Sequence, residues 1–396
     1  MPAVCLYFQM HQPMRLRRYS VFDTDADYFD HDLNAQVLAK VVEKCYLPGT
    51  TQLLEMIKRH EGKFRLSFCV TGVLIEQLRA GAPKVLDNLV KLAETGCVEF
   101  LNETYYHSMA FLYSRDEFRQ QLQLHADLME DLFGRRPTIF RNTELIYNND
   151  LAFYIDSLDQ HKGILAEGSD PILSGRSANL TYRPPHTENI SLLLRNYRLS
   201  DDIAFRFGNR SWSEWPLTGE KFAQWVQRID AVDGKVCNIF ADFETFGEHQ
   251  WAETGIFEFL KAMPKAVLAD SKGSFATVSE ALAANPPADE FDAPHMISWA
   301  DTERDLSAWL GNAMQSNALH ELYKLEGPIK RGGDEKLLRD WRRLTISDHV
   351  YYMCTKYFAD GDVHTYFSPY ESPYDSYINF MNVLDNLRTR VGAVSV

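Results

Sequence analysis

The sequence predicts an α/β fold, an incomplete (β/α)7 TIM-like barrel followed by a C-terminal helical bundle region. Short apolar runs alternate with longer segments of helical periodicity over residues 1–285, and this alternation indicates parallel strands joined by helical crossovers. There are seven such runs, which favours a slightly open barrel over two stacked sheets. After the breaker Asn285-Pro286-Pro287 the periodicity is helical alone.

Each predicted strand is a short run of apolar, β-branched or aromatic residues. In chain order the runs are Val4–Gln9, Phe64–Val70, Val98–Leu101, Thr138–Arg141, Gly163–Ala166, Ser191–Leu194 and Val236–Ala241. A shorter run near Phe275 predicts a weaker eighth strand. The helical segments between them are Asn34–Arg59, Val85–Thr95, Asp116–Leu132, Asp150–Gln160 and Gly219–Ala231. Asp170–Asn189 is predicted as a long loop.

We expect two regions rather than two independent domains. Residues 1–285 are predicted to form the catalytic barrel. Residues 286–396 are predicted to be helical, to pack on the barrel and to contribute to its site. Their helical segments are Arg304–Lys324, Asp334–Tyr357 and Tyr374–Arg390.

The composition argues against several classes of partner. The formal net charge is −14 at pH 7, whereas affinity for nucleic acid depends on Lys and Arg contacts to phosphate. The same charge argues against binding to anionic membranes. No apolar run approaches the roughly 18 residues of a membrane span, and the first residues lack signal-peptide features. We therefore expect a cytoplasmic protein with a neutral substrate.

Aromatic residues make up 13% of the chain, and sugar rings present apolar faces that stack on such side chains. The six cysteines are widely spaced without a C-x-x-C pair. Neither a zinc site nor a disulfide framework is expected.

Hydrolysis of a glycosidic bond needs two carboxyl groups, one to protonate the leaving oxygen and one to attack the sugar or activate water. The first candidate is Glu144, in Thr138–Asn149, where an apolar run turns abruptly polar before a helix. Glu144 is therefore expected on a loop after a strand, where barrel enzymes carry their chemistry. The nearby Arg141 is expected to lower the pKa of Glu144. A solvated loop acid beside an arginine is the structural alternative.

The second candidate, Asp242, ends a buried strand within a dense polar cluster that includes His249. Asp242 and Glu244 share strand parity, so in an extended chain both carboxyls point to the same side. Two such acids raise each other's pKa, and burial against aromatic residues acts in the same direction. A general acid near neutral pH needs a raised pKa.

Further polar residues follow other strands. His11 and Gln12 follow the first strand and can bind sugar hydroxyls, and the third strand carries Glu99 with His107 in a Tyr-Tyr-His patch. These four residues are predicted to bind substrate, as are Glu244 and His249. A satisfied core residue is the structural alternative for each histidine.

Two segments rich in tryptophan complete the set of candidates. Trp299, Asp305 and Trp309 open the C-terminal region, and the loop Leu199–Trp215 carries Trp212. We expect this loop to shape the binding cleft.

Five segments together resemble the conserved regions of glycoside hydrolase family 57. In order they are His11-Gln12-Pro13, Gly96–Glu99, the segment around Glu144, Asp242–His249 and Trp299–Asn312. The most specific is the Asp-x-Glu-x-Phe-Gly run that begins at Asp242. The ending Ser368–Tyr374 is similar to the α-amylase branch of the family.

The resemblance implies a seven-stranded barrel with a helical bundle and a retaining, α-amylase type hydrolysis of α-1,4-glucans. It implies that Glu144 is the nucleophile and Asp242 the general acid/base. The residues it assigns to the sugar subsite are His11, Glu99, Glu244 and Asp305, with Trp299 or Trp309 nearby and Asp301 competing with Asp305. The expected partner is an α-glucan or maltooligosaccharide, with no metal or other cofactor. The oligomeric state cannot be read from the sequence.

Three alternatives stay open. A 4-α-glucanotransferase uses the same two acids, with a sugar hydroxyl in place of water. A metal-dependent enzyme on a related barrel, such as a zinc α-mannosidase or deacetylase, would use His11, Asp242 and His249 as ligands, although the His-x-Asp pattern is missing. A non-catalytic, amylase-like glucan-binding protein would keep the pocket without turnover, and the presence of both acids argues against it.

Overall fold

The computed structural model of the chain describes residues 1–230, 234–356 and 368–394. The strands are β1 (Ala3–Met10), β2 (Leu66–Val70), β3 (Val98–Phe100), β4 (Ile139–Arg141), β5 (Gly163–Glu167), β6 (Thr181–Arg183), β7 (Ser191–Arg195), β8 (Val236–Asp242), β9 (Phe275–Ala276) and β10 (Asp289–Glu290). The helices among them are α1 (His31–Val41), α2 (Leu47–Arg59), α3 (Gly72–Gly81), α4 (Pro83–Glu94), α5 (Ala110–Tyr113), α6 (Arg115–Phe133), α7 (Asn149–Ser157), α8 (Asp170–Leu173), α9 (Tyr197–Asp201), α10 (Gly219–Asp230), α11 (Ile256–Leu268) and α12 (Val278–Ala284). After β10 come α13 (Ser307–Leu310), α14 (Ala313–Lys324), α15 (Glu326–Gly332), α16 (Glu335–Leu344), α17 (Asp348–Tyr351) and α18 (Pro373–Val394).

Seven parallel strands form an incomplete ring. β1 lies between β2 and β8, β3 lies beside β2, and β5 lies between β4 and β7. The two sheets join at a parallel bridge between Asn102 and Phe140 and where the Asn196 N–H donates to the Asn238 carbonyl at 2.9 Å. These are the seven strands predicted from the sequence. The predicted fold class is therefore confirmed.

The ring is incomplete between β7 and β8. β6 runs antiparallel to β7 and pairs with the edge of β7 that would otherwise face β8. β10 extends this side beyond β6. The hydrogen bonds between β7 and β8 thus lie at the end of β7, where Asn238 bonds to Leu194 and Asn196, while β6 pairs with the preceding part of this edge of β7.

Alternation along the strands divides the barrel into inner and outer layers. In β1, Tyr7 belongs to the inner hydrophobic cluster and Phe8 to the outer one beneath the helices. By the same alternation Gln9 and Asp242 point inward at the carboxyl end, where they are partners in the β1–β8 register. α12 covers the other end, because Val278 packs in the inner cluster.

The C-terminal helices share one hydrophobic core with loops of the barrel. This core contains Trp309, Trp341 and Phe380 from the helices, and Tyr28 and Tyr106 from the loops. The boundary between residues 285 and 286 stays a prediction.

Three predicted helices are divided in the structure: Asn34–Arg59, Arg304–Lys324 and Asp334–Tyr357. The segment predicted as one helix over Asn34–Arg59 is α1 and α2, with a π-helical turn at Val42–Tyr46 between them. The segment predicted over Arg304–Lys324 contains α13 and α14, and the side chain of Asn312 caps α14 by accepting from the N–H of Gln315. Such a cap starts a new helix without changing the apolar spacing on which the predictions depended.

Other boundaries also differ. Asp170–Asn189, predicted as a loop, contains α8 and β6, and Asp334–Tyr357 contains α16 and α17. The run near Phe275 is the two-residue β9, which pairs with β1. Ala231 and Tyr357, the last residues of two predicted helices, lie outside the described residues. In the described part of the chain, no helix has the length and apolarity needed to cross a membrane.

Candidate active site

Glu144 lies in a tight turn directly after β4. The 3-10 turn Thr143–Leu145 follows the strand, and Glu144 adopts the left-handed conformation with φ 56°. Non-glycine residues avoid this region, so surrounding contacts must hold the residue there. Its side chain is 23% exposed. The carboxylate is therefore accessible at the carboxyl end of the barrel.

Two donors orient the Glu144 carboxylate. His107 Nε2 lies 2.9 Å from Oε1, and the Trp299 indole N–H donates to Oε2 at 2.7 Å. Burial opposes ionisation of Glu144, but these hydrogen bonds and the positive charges of His107 and Arg141 bring its pKa below the usual value. An ionised carboxylate with both oxygens oriented suits a nucleophile.

Arg141 supplies a buried positive charge at the end of β4. Its guanidinium lies 4.9 Å from the centre of the Trp299 ring and 3.9 Å from Oε2 of Glu103. Its side-chain nitrogens have no hydrogen-bond partner among the described residues. The charge of Arg141 lowers the pKa of Glu144, as predicted, although the hydrogen bond and charge of His107 contribute more.

Asp242 is the last residue of β8 and points into the barrel beside Gln9. Burial, and then the negative charge of Glu144, raise the pKa of Asp242 to about 7, against the positive charges of Arg141 and His107. One carboxyl of this site is therefore ionised, while the other can keep a proton near neutral pH.

Glu244 reaches the same site by a different route from the one predicted. β8 ends at Asp242, and Phe243–Thr245 form a 3-10 turn, so the assumption of an extended chain through Glu244 is wrong. The Tyr46 hydroxyl donates to Glu244 Oε1, and the His11 N–H donates to it at 3.4 Å. Burial, and then the charge of Asp242, raise the pKa of Glu244 to about 8. The predicted direction of the pKa shift thus holds for both acids.

His11 connects the end of β1 to the helical region. Its Nδ1 lies 3.0 Å from Oγ1 of Thr71, and its Nε2 lies 3.0 Å from Oδ2 of Asp348 at the start of α17. The His11 ring stacks on the His107 ring, with centres 4.2 Å apart. A helix of the C-terminal region therefore reaches the neighbourhood of Glu144.

Glu99, expected to bind substrate, is not brought to Glu144. It accepts from the N–H of Ser279 in α12 at 2.9 Å and from the Ser279 hydroxyl. α12 lies at the amino-terminal end of the barrel, opposite the end that carries Glu144. The acid that reaches the site is instead Glu103, four residues later, which contacts His107.

In the fifth segment, Trp299 contacts Glu144 and the other expected residues make other contacts. Asp305 is exposed and accepts from the backbone at the start of α13 at 2.8 Å. Asp301 lies 3.4 Å from Nζ of Lys356. Trp309 is fully buried in the core of the helical region.

Gln12 and Trp212 also have partners other than Glu144. Oε1 of Gln12 accepts from Arg15 at 3.1 Å, within the loop that follows β1. Trp212 packs edge-to-face on Trp225 of α10, with ring centres 6.2 Å apart. The role of Trp212 in a cleft stays a prediction without a contact to the site.

The ligands considered for a metal-dependent enzyme are not gathered in one place. The main-chain N–H of His249 donates to the carbonyl of Glu244 at 2.9 Å, but His249 forms no ligand cluster with His11 and Asp242 among the described residues. The cluster that does occur there is Cys69, Glu103 and His125, all buried, with ligand atoms within 4.8 Å. Both ring nitrogens of His125 already have partners at 2.9 and 3.0 Å. This cluster therefore offers no free imidazole nitrogen to a metal.

Four residues of the cluster around the two acids are not among the predicted site residues: Gln9, Tyr46, Glu103 and Asp348. Gln9 and Glu103 carry a local signal, because a polar side chain at the end of a buried strand must find a partner. Tyr46 lies inside a predicted helix, and Asp348 lies far along the chain. No local pattern marks these two residues.

Comparisons with known proteins identify the family of the chain. The model of Glycosyl hydrolase family 57 matches residues 5–297. A protein of Methanocaldococcus jannaschii named "Putative alpha-amylase" is 39% identical over 391 residues, which cover 95% of this chain and 82% of that protein.

Two solved structures share the fold. The GH57-type branching enzyme of Pyrococcus horikoshii gives a TM-score of 0.71 at 16% identity, over 97% of this chain and 88% of that one. The 4-alpha-glucanotransferase of Thermococcus litoralis gives 0.61 at 17% identity, over 89% of this chain and 52% of that one. The chain thus spans about half the length of the glucanotransferase. From the family match and the 39% identical relative, the chain belongs to glycosyl hydrolase family 57.

Proposed function

We propose that this chain is a retaining glycoside hydrolase of the α-amylase type that acts on α-1,4-glucans. Glu144 is the nucleophile and Asp242 the general acid/base. The observation that carries the proposal is the placement of two carboxyl groups at the carboxyl end of the barrel. Glu144 is held by His107 and Trp299 after β4, and Asp242 ends β8 beside Gln9. Their surroundings shift the two pKa values in opposite directions, that of Glu144 below its usual value and that of Asp242 upward. The name of the relative from Methanocaldococcus jannaschii supports an amylase.

In the first step, a carboxylate oxygen of Glu144 attacks the anomeric carbon of the sugar. The bond to the glycosidic oxygen breaks, and that oxygen takes the proton of Asp242. The shorter glucan leaves with a new hydroxyl group. The enzyme then holds a glycosyl ester on Glu144 and an ionised Asp242.

In the second step, Asp242 removes a proton from a water molecule, whose oxygen attacks the same anomeric carbon. The ester bond breaks, and the carboxylate of Glu144 is restored. Two inversions leave the product in the α-configuration. Trp299 and His107 keep the carboxylate oriented through both steps, and His11 and Glu244, which adjoin the two acids, are proposed to contact the sugar.

Transglycosylation is the second candidate, because the fold is shared with an enzyme named 4-alpha-glucanotransferase. The same two acids serve both reactions. A sugar hydroxyl replaces water in the second step, so the two activities differ only in the acceptor.

The test is an incubation of wild type, Glu144→Gln and Asp242→Asn with maltoheptaose, with products separated by chain length. We expect shorter maltooligosaccharides from wild type and a loss of about 1,000-fold or more in both variants. Proton NMR of the first products should detect the α-anomer before the β-anomer. Products longer than maltoheptaose would support the transferase instead. Binding of maltoheptaose without any product would support the glucan-binding alternative.

A further inference from the structure

We propose that His107 is a positioning residue for the nucleophile: a buried imidazolium that fixes Glu144 through one ring nitrogen and is itself fixed by Glu103 through the other. The inference rests on the proposed role of Glu144. It assigns His107 a role different from the substrate binding expected from the sequence.

A chain of three hydrogen bonds leads from β1 to Glu144. Gln9 Nε2 donates to Oε1 of Glu103 at 2.8 Å. Oε2 of Glu103 lies 2.8 Å from Nδ1 of His107, and Nε2 of His107 lies 2.9 Å from Oε1 of Glu144. An imidazole between two carboxylates donates to both only when both nitrogens carry protons. The geometry therefore calls for the charged ring.

The surroundings of His107 favour that charge. Burial alone would lower the pKa of His107, but the hydrogen bonds and negative charges of Glu103 and Glu144 raise it to about 9. Arg141 and His107 in turn hold the pKa of Glu103 well below its usual value, against the effect of burial. Glu103 is thus an ionised partner of His107 at neutral pH.

A direct contact between His107 and substrate does not fit this arrangement. The side chain is 2% exposed, and both ring nitrogens are occupied. A sugar hydroxyl would have to replace a carboxylate, and a hydrogen bond between two charged groups would give way to a weaker one between the imidazolium and a neutral hydroxyl. His107 acts on the reaction through Glu144.

The backbone supports a fixed arrangement on both sides of the hydrogen bond. His107 and Glu144 both adopt the left-handed conformation, with φ 51° and 56°. Such residues persist only where the surrounding contacts determine them. The His107 N–H donates to the Thr104 carbonyl, and the Ser347 N–H donates to the His107 carbonyl, both at 3.0 Å. Ser347 ties this turn to the helical region.

Removal of the His107 charge should shift the pKa values of the neighbouring acids in a predictable direction. The titratable groups coupled to the charge of His107 are Glu103, Glu144, Asp242, His11 and Asp348. Arg141 is coupled to the same two glutamates. His11, stacked on the other ring, has a pKa lowered first by burial and then by the charge of His107, and burial, the larger of these two effects, remains when His107 is replaced. Because His107 lowers the pKa of both Glu144 and Asp242, its neutral replacement should raise both.

The experiment measures kcat/KM on maltoheptaose against pH for wild type, His107→Gln and Glu103→Gln. Glutamine at position 107 keeps a donor but has no charge. In the pH profile of kcat/KM, we expect the acid and alkaline limbs both to move to higher pH, the acid limb by about 1 to 3 pH units. We also expect kcat at the optimum to fall about 100-fold with KM nearly unchanged. Glu103→Gln leaves the imidazole in place and should move both limbs in the same direction.

His60→Gln is the matched control. His60 lies at the carboxyl end of α2, and this variant should keep the wild-type limbs. If His107→Gln raised KM and left both limbs in place, His107 would be a substrate contact and the inference would be overturned. Thermal unfolding of each variant shows whether a loss of activity comes from loss of the fold or from a displaced Glu144 carboxylate. If His107→Gln does not fold, the pH profile of Glu103→Gln tests the inference: limbs at higher pH support it, and unchanged limbs overturn it.

Glu144→Gln separates the two proposals. If Glu144→Gln keeps full activity, the proposed nucleophile is wrong and the positioning role falls with it. If Glu144→Gln is inactive while His107→Gln and Glu103→Gln keep both wild-type limbs, only the positioning role is overturned.

Discussion

Trp299 holds both the side chain and the backbone of Glu144. Its indole N–H donates to Oε2 of Glu144 at 2.7 Å, and its main-chain N–H donates to the Glu144 carbonyl at 3.2 Å. The indole also lies beside the guanidinium groups of Arg141 and Arg195, at 4.9 and 5.6 Å from the ring centre. The proposed nucleophile is thus positioned by a residue 155 positions later in the chain.

Trp299→Phe should lower activity and move the acid limb. The substitution keeps an aromatic side chain but removes the indole N–H that stabilises the Glu144 carboxylate. A hydrogen bond of this kind to a charged group is worth about 1.5–3 kcal/mol. We expect kcat/KM on maltoheptaose to fall about 10- to 100-fold and the acid limb to move to higher pH. Trp309→Phe, a change in the helical core, should lower the Tm and leave the limbs in place. Wild-type activity in Trp299→Phe would show that this hydrogen bond has no role in the reaction.

The alkaline limb should follow Asp242. Because the pKa of Asp242 is raised to about 7, its proton is lost as the pH rises through that value, and kcat/KM on maltoheptaose should fall. An α-maltosyl fluoride releases fluoride without needing a proton. Its first step should keep its rate above that pH. The same fall with both substrates would assign the limb to another group.

Gly247→Ala should destabilise the turn that follows Asp242. Gly247 has φ 110°, and an added Cβ would overlap the carbonyl oxygen of Lys44. We expect a loss of about 2–4 kcal/mol in the free energy of unfolding and a lower kcat, since the turn carries Glu244. Gly134→Ala is the control, because Gly134 has φ 72° and open space around it, and it should cost about 1 kcal/mol. If chemical denaturation showed the same loss in the free energy of unfolding for Gly247→Ala and Gly134→Ala, the steric argument would be contradicted.

Chelation should leave the activity unchanged, because the proposed steps use two carboxyl groups and no metal. The measurement is product formation from maltoheptaose after dialysis against EDTA, with and without added zinc. Loss on chelation that zinc restores would support the metal-dependent alternative.

The sequence was sufficient for the barrel and for the position of the two proposed catalytic acids. Apolar runs mark the strands, and polar residues mark their carboxyl ends, which meet at one end of a parallel barrel. Glu144 and Asp242 each follow such a run, so their placement needed no knowledge of distant contacts. The inward direction of Asp242 agrees with the alternation of side chains along β8.

The other contacts of the candidate site depend on where each strand ends and on segments that are distant in the sequence. Glu99 and Glu103 lie four residues apart in one run, and only the end of β3 at Phe100 decides which of them reaches the site. Trp299 and Trp309 flank one segment with similar surroundings, yet one contacts Glu144 and the other fills the helical core. Asp348 is the first residue of α17, and nothing near it in the chain indicates His11 as its partner.

Capture of a glycosyl-enzyme intermediate tests the central claim most directly. A 5-fluorinated α-maltosyl fluoride should form the ester and hydrolyse it slowly, because fluorine withdraws electrons from the sugar ring. Mass spectrometry of a proteolytic digest should then show the added sugar on the peptide that contains Glu144, and Glu144→Gln should carry none. A label on another carboxyl group, or no label while the β-anomer is released first from maltoheptaose, would contradict the account.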